Sequence, residues 1–423
     1  MKNISIKLTA LLTALIMILA FAASCGKKSD TAPETTAAAE TSGDTPDTEP
    51  VPTNTEPEAG RVTFFAAGDN IIHECVYLDA MTAAASVGSA SEYYFSGMYD
   101  NLRDKISSAD LAFINAEGPL DADYAPNGYP TFNAPREAGD ALVDVGFDII
   151  NLANNHMLDF HGADGLRATI NYWKTKDVLT VGGYEGESDY NTIRTIERNG
   201  IKIAVLSYTY GTNGNYLPAG TTDLWIPYIN DDDITRHINE AKGLADCVIV
   251  SMHWGVENEF TPSAEQKRVA KLIADAGADV IIGHHSHTIQ PIEWVDGSGG
   301  HRTLVTYSLG NFLHTQLNSE NLVGGTVTFD IVKDAATGTV TIEDPVFDPT
   351  VCHYTANLGV LDSLDYYKRE NIRIYRLAEY TDALAAEHGS QNWGAFNLST
   401  LQDYVTSTID AKFLPMDWPW PER

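Results

Sequence analysis

Hydrophobic positions along this chain follow two different periods. The runs Val62–Ala67, Leu111–Asn115, Asp148–Leu152, Ile201–Ser207, Cys247–Met252, Val280–Ile282 and Thr303–Tyr307 are continuous, rich in β-branched or aromatic residues, and each ends in a polar or glycine cluster. Runs of that kind predict buried strands. Between them, Gly165–Lys174 and Ser263–Ala276 carry helical spacing. The second opens on Ser263 with Gln266 three residues later, a capping box, and stops at Gly277. Strands alternating with helices imply an α/β core. Gly325–Val332 and Val340–Val346, separated by a turn around Ala336-Thr337-Gly338, predict an antiparallel pair. Beyond Thr350 the chain reads as mostly helical, with Tyr366–Tyr380 and Leu398–Ile409 as the expected helices. The aromatics of the Trp418-Pro419-Trp420-Pro421 tail are expected to pack on the main domain.

The first sixty residues have another character. Lys2 and Lys7 precede an apolar run from Leu8 to Ala23, then small residues and Cys25. That is the layout of a secretory signal, and the run is shorter than the roughly 20 residues of a membrane span. Ala22-Ala23-Ser24-Cys25 resembles a bacterial lipobox, with Ala22 where Leu is usual, so Cys25 is the expected lipidation site. An uncleaved N-terminal anchor helix is the alternative. Ser29–Gly60 is Thr, Pro, Glu, Asp, Ala and Ser with eight acids and no base, a composition that cannot bury a core and reads as a flexible tether. The expected organisation is therefore a lipoprotein-type signal over 1–25, an acidic tether over 26–60, a main domain over 61–350 and a helical extension over 351–423. Both anchoring modes place the folded part outside the cell membrane.

Charge narrows the partners. The 423 residues carry 27 Lys+Arg against 58 Asp+Glu, a net of −31. Residues 61–423 keep 23 bases and 50 acids, a net of −27. Such a surface excludes a duplex nucleic-acid binder, and an anionic ligand would need a local cationic site such as a bound metal. The four cysteines form no CxxC pair and no dense disulfide framework.

Chemistry collects where the strands stop. The runs lead into Gly68-Asp69-Asn70-Ile71-Ile72-His73, Asn115-Ala116-Glu117-Gly118, Asn154-Asn155-His156-Met157-Leu158-Asp159, His253-Trp254-Gly255, Gly283-His284-His285-Ser286-His287 and Ser308-Leu309-Gly310-Asn311-Phe312. Ligands bind at the carboxyl edge of open α/β sheets. Carboxylate, imidazole and amide oxygen together suit Mn, Fe or Zn, and a bridging carboxylate can bring two such ions together at a phosphoryl group. Each set alone has a bland reading: Gly-Asp as a turn, Asn154 and Asn155 as caps, His253 packed on Trp254, Glu117 as a surface acid. His73 either points into the site or starts the next helix. His161, His237, His301, His314, His353 and His388 lack the strand-end setting.

Taken in order, these motifs, with Pro119, Gln290 and Pro291, resemble the CapA family of poly-γ-glutamate capsule synthesis proteins, within the calcineurin-like metallophosphoesterase superfamily, over residues 62 to 315. The resemblance implies a four-layer α-β-β-α sandwich. It implies two divalent metal ions held by Asp69, Glu117, Asn155, His253, His285 and His287. His156 corresponds to the superfamily's acid histidine, and His73 is a second catalytic candidate. Asn115, Trp254 and Asn311 are the expected substrate contacts. The chain departs from the superfamily pattern at Ile71, where a His is usual, at Glu117 for a bridging Asp, and at Asn154 for a Gly. These features belong to the CapA branch and speak against ordinary phosphoesterase activity.

The implied function is a membrane-tethered protein acting in synthesis, export or anchoring of poly-γ-glutamate or a similar polymer. Its partners would be an anionic polymer or phosphate-containing substrate and membrane capsule-synthesis subunits. An extracellular phosphoesterase acting on nucleotides or phospho-sugars, and a non-catalytic polymer-binding export subunit, are the competing readings.

Overall fold

Two sheets face one another. The computed structural model describes residues 60–419; the signal, Cys25 and the tether up to residue 59 lie outside the described residues. Four parallel strands open the first sheet: β1 (Gly60–Ile71), β2 (Leu111–Glu117), β3 (Ile149–Asn151) and β4 (Leu179–Val181). The chain then builds a six-stranded sheet from β5 (Thr195–Arg198), β6 (Ile201–Thr209), β7 (Cys247–His253), β8 (Val280–His284), β9 (Ile292–Asp296) and β10 (Arg302–Thr306), in the order β5-β6-β7-β8-β10-β9. It returns to the first sheet with β11 (Asn311–Leu313), β12 (Val323–Lys333), β13 (Val340–Leu361) and β14 (Tyr367–Arg376). The first sheet reads β14-β13-β12-β1-β2-β3-β4, with β11 also paired to β1.

Alternation along the strands makes the layers. Ile203, Val205, Ile249 and Ile282 of the second sheet share one buried cluster with Val62, Phe64, Phe113 and Ile149 of the first. The intervening Ala204, Leu206, Val248 and Val250 face outward onto Ile234 and Ile238 of helix Asp231–Lys242 and Val269 and Ile273 of helix Ala264–Ala276. Helices Glu74–Val87 and Arg136–Val145 bury Val76, Ala80, Ala138 and Leu142 against the first sheet. The result is the expected α-β-β-α sandwich, since a sheet residue with period 2 must bury both faces when helices cover the outside. The Ser263–Gln266 capping box forms as its spacing requires, and Gly277 closes that helix in the left-handed conformation.

The region after residue 350 needs correction. β13 runs through the boundary expected there, and the helix expected over Tyr366–Tyr380 is instead β14, antiparallel to β13. The cause is visible in the side chains: Ile372, Ile374 and Arg376 are buried while Arg373 and Tyr375 are less so, a period of 2. Charged residues at Lys368, Arg369 and Glu370 hid that alternation. Helical structure follows from Leu377, in helices Asp382–Glu387 and Leu398–Thr408 with short 3-10 turns, making a helix-rich end to the chain. Trp418 is buried there, as expected; Trp420 and Pro421 of the same tail lie outside the described residues.

Close backbone approach fixes the edge that carries the chemistry. A Cβ on Gly68 would lie 2.0 Å from the Gly310 carbonyl oxygen, which itself accepts from the Asp69 N–H at 2.9 Å. Only glycine permits that approach. It sets Asp69 opposite Asn311 in the β1–β11 register and opposite Asn115 in the β1–β2 register. In the second sheet the β7–β8 register sets His253 beside His284.

Candidate metal centre

Asp69, on β1, is fully buried and surrounded by donors. Asn115 Nδ2 donates to its Oδ1 at 2.8 Å, and the His285 backbone N–H donates to Oδ2 at 3.1 Å. His284 Nδ1 and His287 Nδ1 lie 3.3 and 3.4 Å from its two oxygens. Burial opposes its charge, but His284 and His287 outweigh that and hold the carboxyl well below the usual carboxylate range. Reciprocally, burial works against a charged His287, yet its bond to Asp69 and the nearby Glu117 raise it to about 9. Glu117 takes the opposite course: burial first, and then the charge of Asp69, push it up to about 8.

The loop after β8 is locally strained. His285 and His287 have φ of +93° and +56°, a region that non-glycine residues seldom enter. Each costs about 1–3 kcal/mol unless the surroundings enforce it; here Asp69 holds the His285 N–H, and Asn311 Oδ1 lies 3.0 Å from His287 Nδ1. The strained turn sets the two rings 6.0 Å apart, centroid to centroid, with His287 lining the cleft. His285 lies 4.9 Å, centroid to centroid, from His253 and 4.4 Å from Tyr210.

Two groups of potential ligand atoms result. Asp69, Glu117 and His253 present one atom each within 4.8 Å of one another, and so do Glu257, His285 and His287. Asn155 Oδ1 lies 2.9 Å from His253 Nε2, beside the first group. The donor set suits divalent ions of the Mn, Fe or Zn kind. A further observation supports the fit: Glu117 Oε1, His253 Nδ1 and His285 Nδ1 are buried without a hydrogen-bond partner. Orphaned acceptors at one spot are costly unless a ligand meets them.

His156 is built for proton transfer. Its Nδ1 lies 2.6 Å from Asp159 Oδ2, which also accepts the Phe132 N–H, and its Nε2 faces Glu117 Oε1 at 3.7 Å. Burial opposes its protonation, while Asp159 and Glu117 raise its pKa on balance. These groups floor a cleft of about 730 Å³, walled on one side by Tyr129 and Phe132 and on another by Leu364 and Tyr366.

Several residues stand elsewhere than expected. Trp254 is buried in the outer core of the second sheet, its Nε1–H donating to the Tyr307 carbonyl at 2.9 Å, so it is a packing residue and does not face substrate. Asn115 lies beneath the site, bridging Asp69 and Glu117. Asn311 is likewise buried and orients His287. His73 stands at the N-cap position of the helix that follows, without a side-chain capping bond, and lines the cleft. Its Nδ1 accepts from the Thr315 N–H, and burial pushes the ring down to about 3. With Nδ1 accepting, the neutral ring carries its one proton on Nε2. Three residues escaped the sequence reading. Glu257 follows His253 by four positions on an exposed loop, where acids are common. Tyr210 and Asn213 follow β6, whose end carries no recognisable motif. Asp159 was part of a motif but had no stated role.

The fold and this site define an α/β-sandwich protein whose strand ends gather two groups of residues suited to holding metal ions. The chain belongs to the bacterial capsule synthesis protein family PGA_cap, whose model matches residues 63–316. It is 37% identical over 192 residues to the capsule biosynthesis protein CapA of Bacillus anthracis, covering 44% of each chain. It is 35% identical over 182 residues to the PGA biosynthesis protein CapA of Bacillus subtilis (strain 168), covering 43% of this chain and 46% of that one. The matched region thus spans less than half the length of these curated relatives. Among solved structures, a phosphatase from Mycoplasma pneumoniae aligns at TM-score 0.40 and 14% identity over 69% of this chain and 95% of its own. The NAD nucleotidase of Haemophilus influenzae aligns at 0.38 and 11%, over 84% and 57%.

Proposed function

We infer that this chain acts in the biosynthesis, export or anchoring of poly-γ-glutamate or a similar capsule polymer, by metal-dependent hydrolysis or transfer at an acyl or phosphoryl centre. The observation that carries this reading is the pair of ligand groups, with orphaned buried atoms on Glu117, His253 and His285 and with Glu117, Glu257 and His287 lining the cleft, within the residues matched to the capsule family. Asp69, Glu117, His253 and Asn155 would hold one cation, and Glu257, His285 and His287 the other. Bound there, divalent ions supply Lewis-acid activation of water and of the scissile group. The chain's own residues do the rest. Asn115 and Asn311 fix the carboxylate and imidazole that face the cleft, and Asp159 aligns His156 to pass a proton to a leaving oxygen. No helix among the described residues is long and apolar enough to cross a membrane. The apolar run before Cys25 lies outside those residues, and we propose attachment to the outer membrane face through lipidation of Cys25 or, alternatively, through an uncleaved N-terminal helix, with membrane capsule-synthesis subunits as partners.

Elemental mass spectrometry of the purified chain tests the metal reading. About two Mn, Fe or Zn ions per chain are expected, falling to near zero in a folded His285→Ala, His287→Ala variant. A folded parent that takes up no metal after reconstitution sinks the mechanism. Rapid turnover of a simple phosphate ester, with no action on poly-γ-glutamate, would instead favour an extracellular phosphoesterase.

A further inference from the structure

We propose that Asn258 and Gln316 form a neutral hydrogen-bond-donor rim on the cleft, which binds the carboxylate oxygens of an anionic polyamide chain; this rests on the capsule-polymer reading above. Both residues line the cleft. The orientation of their amides follows from the backbone outward. Buried Asn321 points Nδ2 at the His287 carbonyl at 3.3 Å, and buried Asn311 points Nδ2 at the carbonyls of His287 and Asn321 at 3.3 and 3.1 Å. A carbonyl only accepts, so those atoms are NH2 groups. Asn321 Nδ2 also donates to Asn258 Oδ1 at 2.7 Å, and Asn311 Nδ2 to Gln316 Oε1 at 3.0 Å. The oxygen ends of Asn258 and Gln316 are thereby tied back to the buried amides. Their NH2 ends, which meet no acceptor among the described residues, are left for a ligand.

Charge explains why such a rim would be neutral. The acidic residues lining the cleft are Glu117, Asp159 and Glu257. Arg369 is the one lysine or arginine among the lining residues, and its guanidinium is engaged by Asp362, the Thr315 carbonyl and the Cys75 sulfur. An anionic chain therefore finds no free guanidinium or ammonium along this wall. Amide N–H groups bind carboxylates without adding a counter-charge that the neighbouring acids would capture. The tension between a −27 domain and a polyanionic substrate is eased locally, by donors and bound cations, and the surface elsewhere stays acidic.

Binding of a short γ-linked glutamate oligomer to the metal-loaded full chain, measured by calorimetry, tests the rim, with polyphosphate as a second probe. An Asn258→Ala, Gln316→Met variant removes both donors without adding charge, and is expected to weaken oligomer binding by about tenfold for each donor lost. Asn258→Asp, Gln316→Glu, which turns donors into anions, should weaken it further and restore part of the affinity at high salt. Unchanged metal content and melting temperature establish that both variants are folded. If the parent binds the oligomer and the Ala/Met variant binds it equally well, the rim is wrong while the capsule reading survives. If the parent binds polyphosphate alone, the polyamide assignment and the capsule reading both fall.

Discussion

Asn115 shows how much a single amide can decide in a buried site. Its Nδ2 is shared between Asp69 Oδ1 and Glu117 Oε2, at 2.8 and 3.3 Å, and its Oδ1 accepts from Asn151 Nδ2 at 2.8 Å. The sequence placed it at a strand end with the right chemistry but gave no way to distinguish a substrate contact from a residue that holds two carboxylates together. Register decided it, by setting Asn115 opposite Asp69. Asn115→Asp keeps the shape and puts a third carboxylate between the other two. In chelator this variant should lose about 2 kcal/mol of stability by urea unfolding, because the hydrogen bond to the charged Asp69 becomes a repulsion. Added Mn or Zn should recover most of the loss. Equal stability of variant and parent in chelator would show that the amide bridge does not matter.

At the scale of elements, the junction between β13 and the helix-rich end of the chain carries a pH dependence. His353 on β13 lies 2.6 Å, through Nδ1, from the Tyr380 hydroxyl, and His388 Nε2 lies 3.1 Å from the Cys352 carbonyl. The two rings are 5.2 Å apart, and His388 stacks on Phe396 at 4.1 Å. Burial pushes His353 down to about 4 and His388 to about 3. The unfolded chain, with imidazoles near their ordinary value, then binds more protons than the folded one across this window. Stability is fully present above about pH 6.5 and is lost as pH falls toward 4, by up to about 1.4 kcal/mol per pH unit for each histidine. His388→Gln, whose amide N–H can still reach the Cys352 carbonyl, should reduce that slope by about one proton between pH 6 and 4. Urea midpoints that fall as steeply in the variant as in the parent would remove His388 from this account.

On the scale of the whole molecule, the main domain and the extension share one core. Leu377, Tyr380, Phe396, Leu401, Val405, Ile409, Phe413 and Trp418 are buried in the cluster that contains Phe64, Phe329 and Phe347. Burying each contributes roughly 1.5–3 kcal/mol, so together about 12–24 kcal/mol, as large as or larger than the 5–15 kcal/mol that a typical domain has to spare. A chain ended after Arg376 should therefore fail to fold cooperatively, seen as a lost near-ultraviolet dichroism signal and broad urea unfolding. A sharp transition in that truncated chain would make the extension a separable domain after all.

What the sequence determined by itself was local. Continuous β-branched runs specify strands, a Ser-x-x-Gln pair specifies a helix start, and the polar residues after each run specify the edge where ligands gather; all of these depend on neighbours within a few positions. The motif order was enough to place the chain in its family. Tertiary structure decided whatever depended on a partner far along the chain. β14 became a strand because β13 offered it an edge, and Trp254 became core because the Tyr307 carbonyl was in reach. Glu257 joined His285 and His287 because a loop returned it to them, and Asn258 turned its donor outward because Asn321 held its oxygen. Hydrogen bonds and close packing act over a few ångströms of space, so the roles they assign are written in the fold and not in the spacing of residues along the chain.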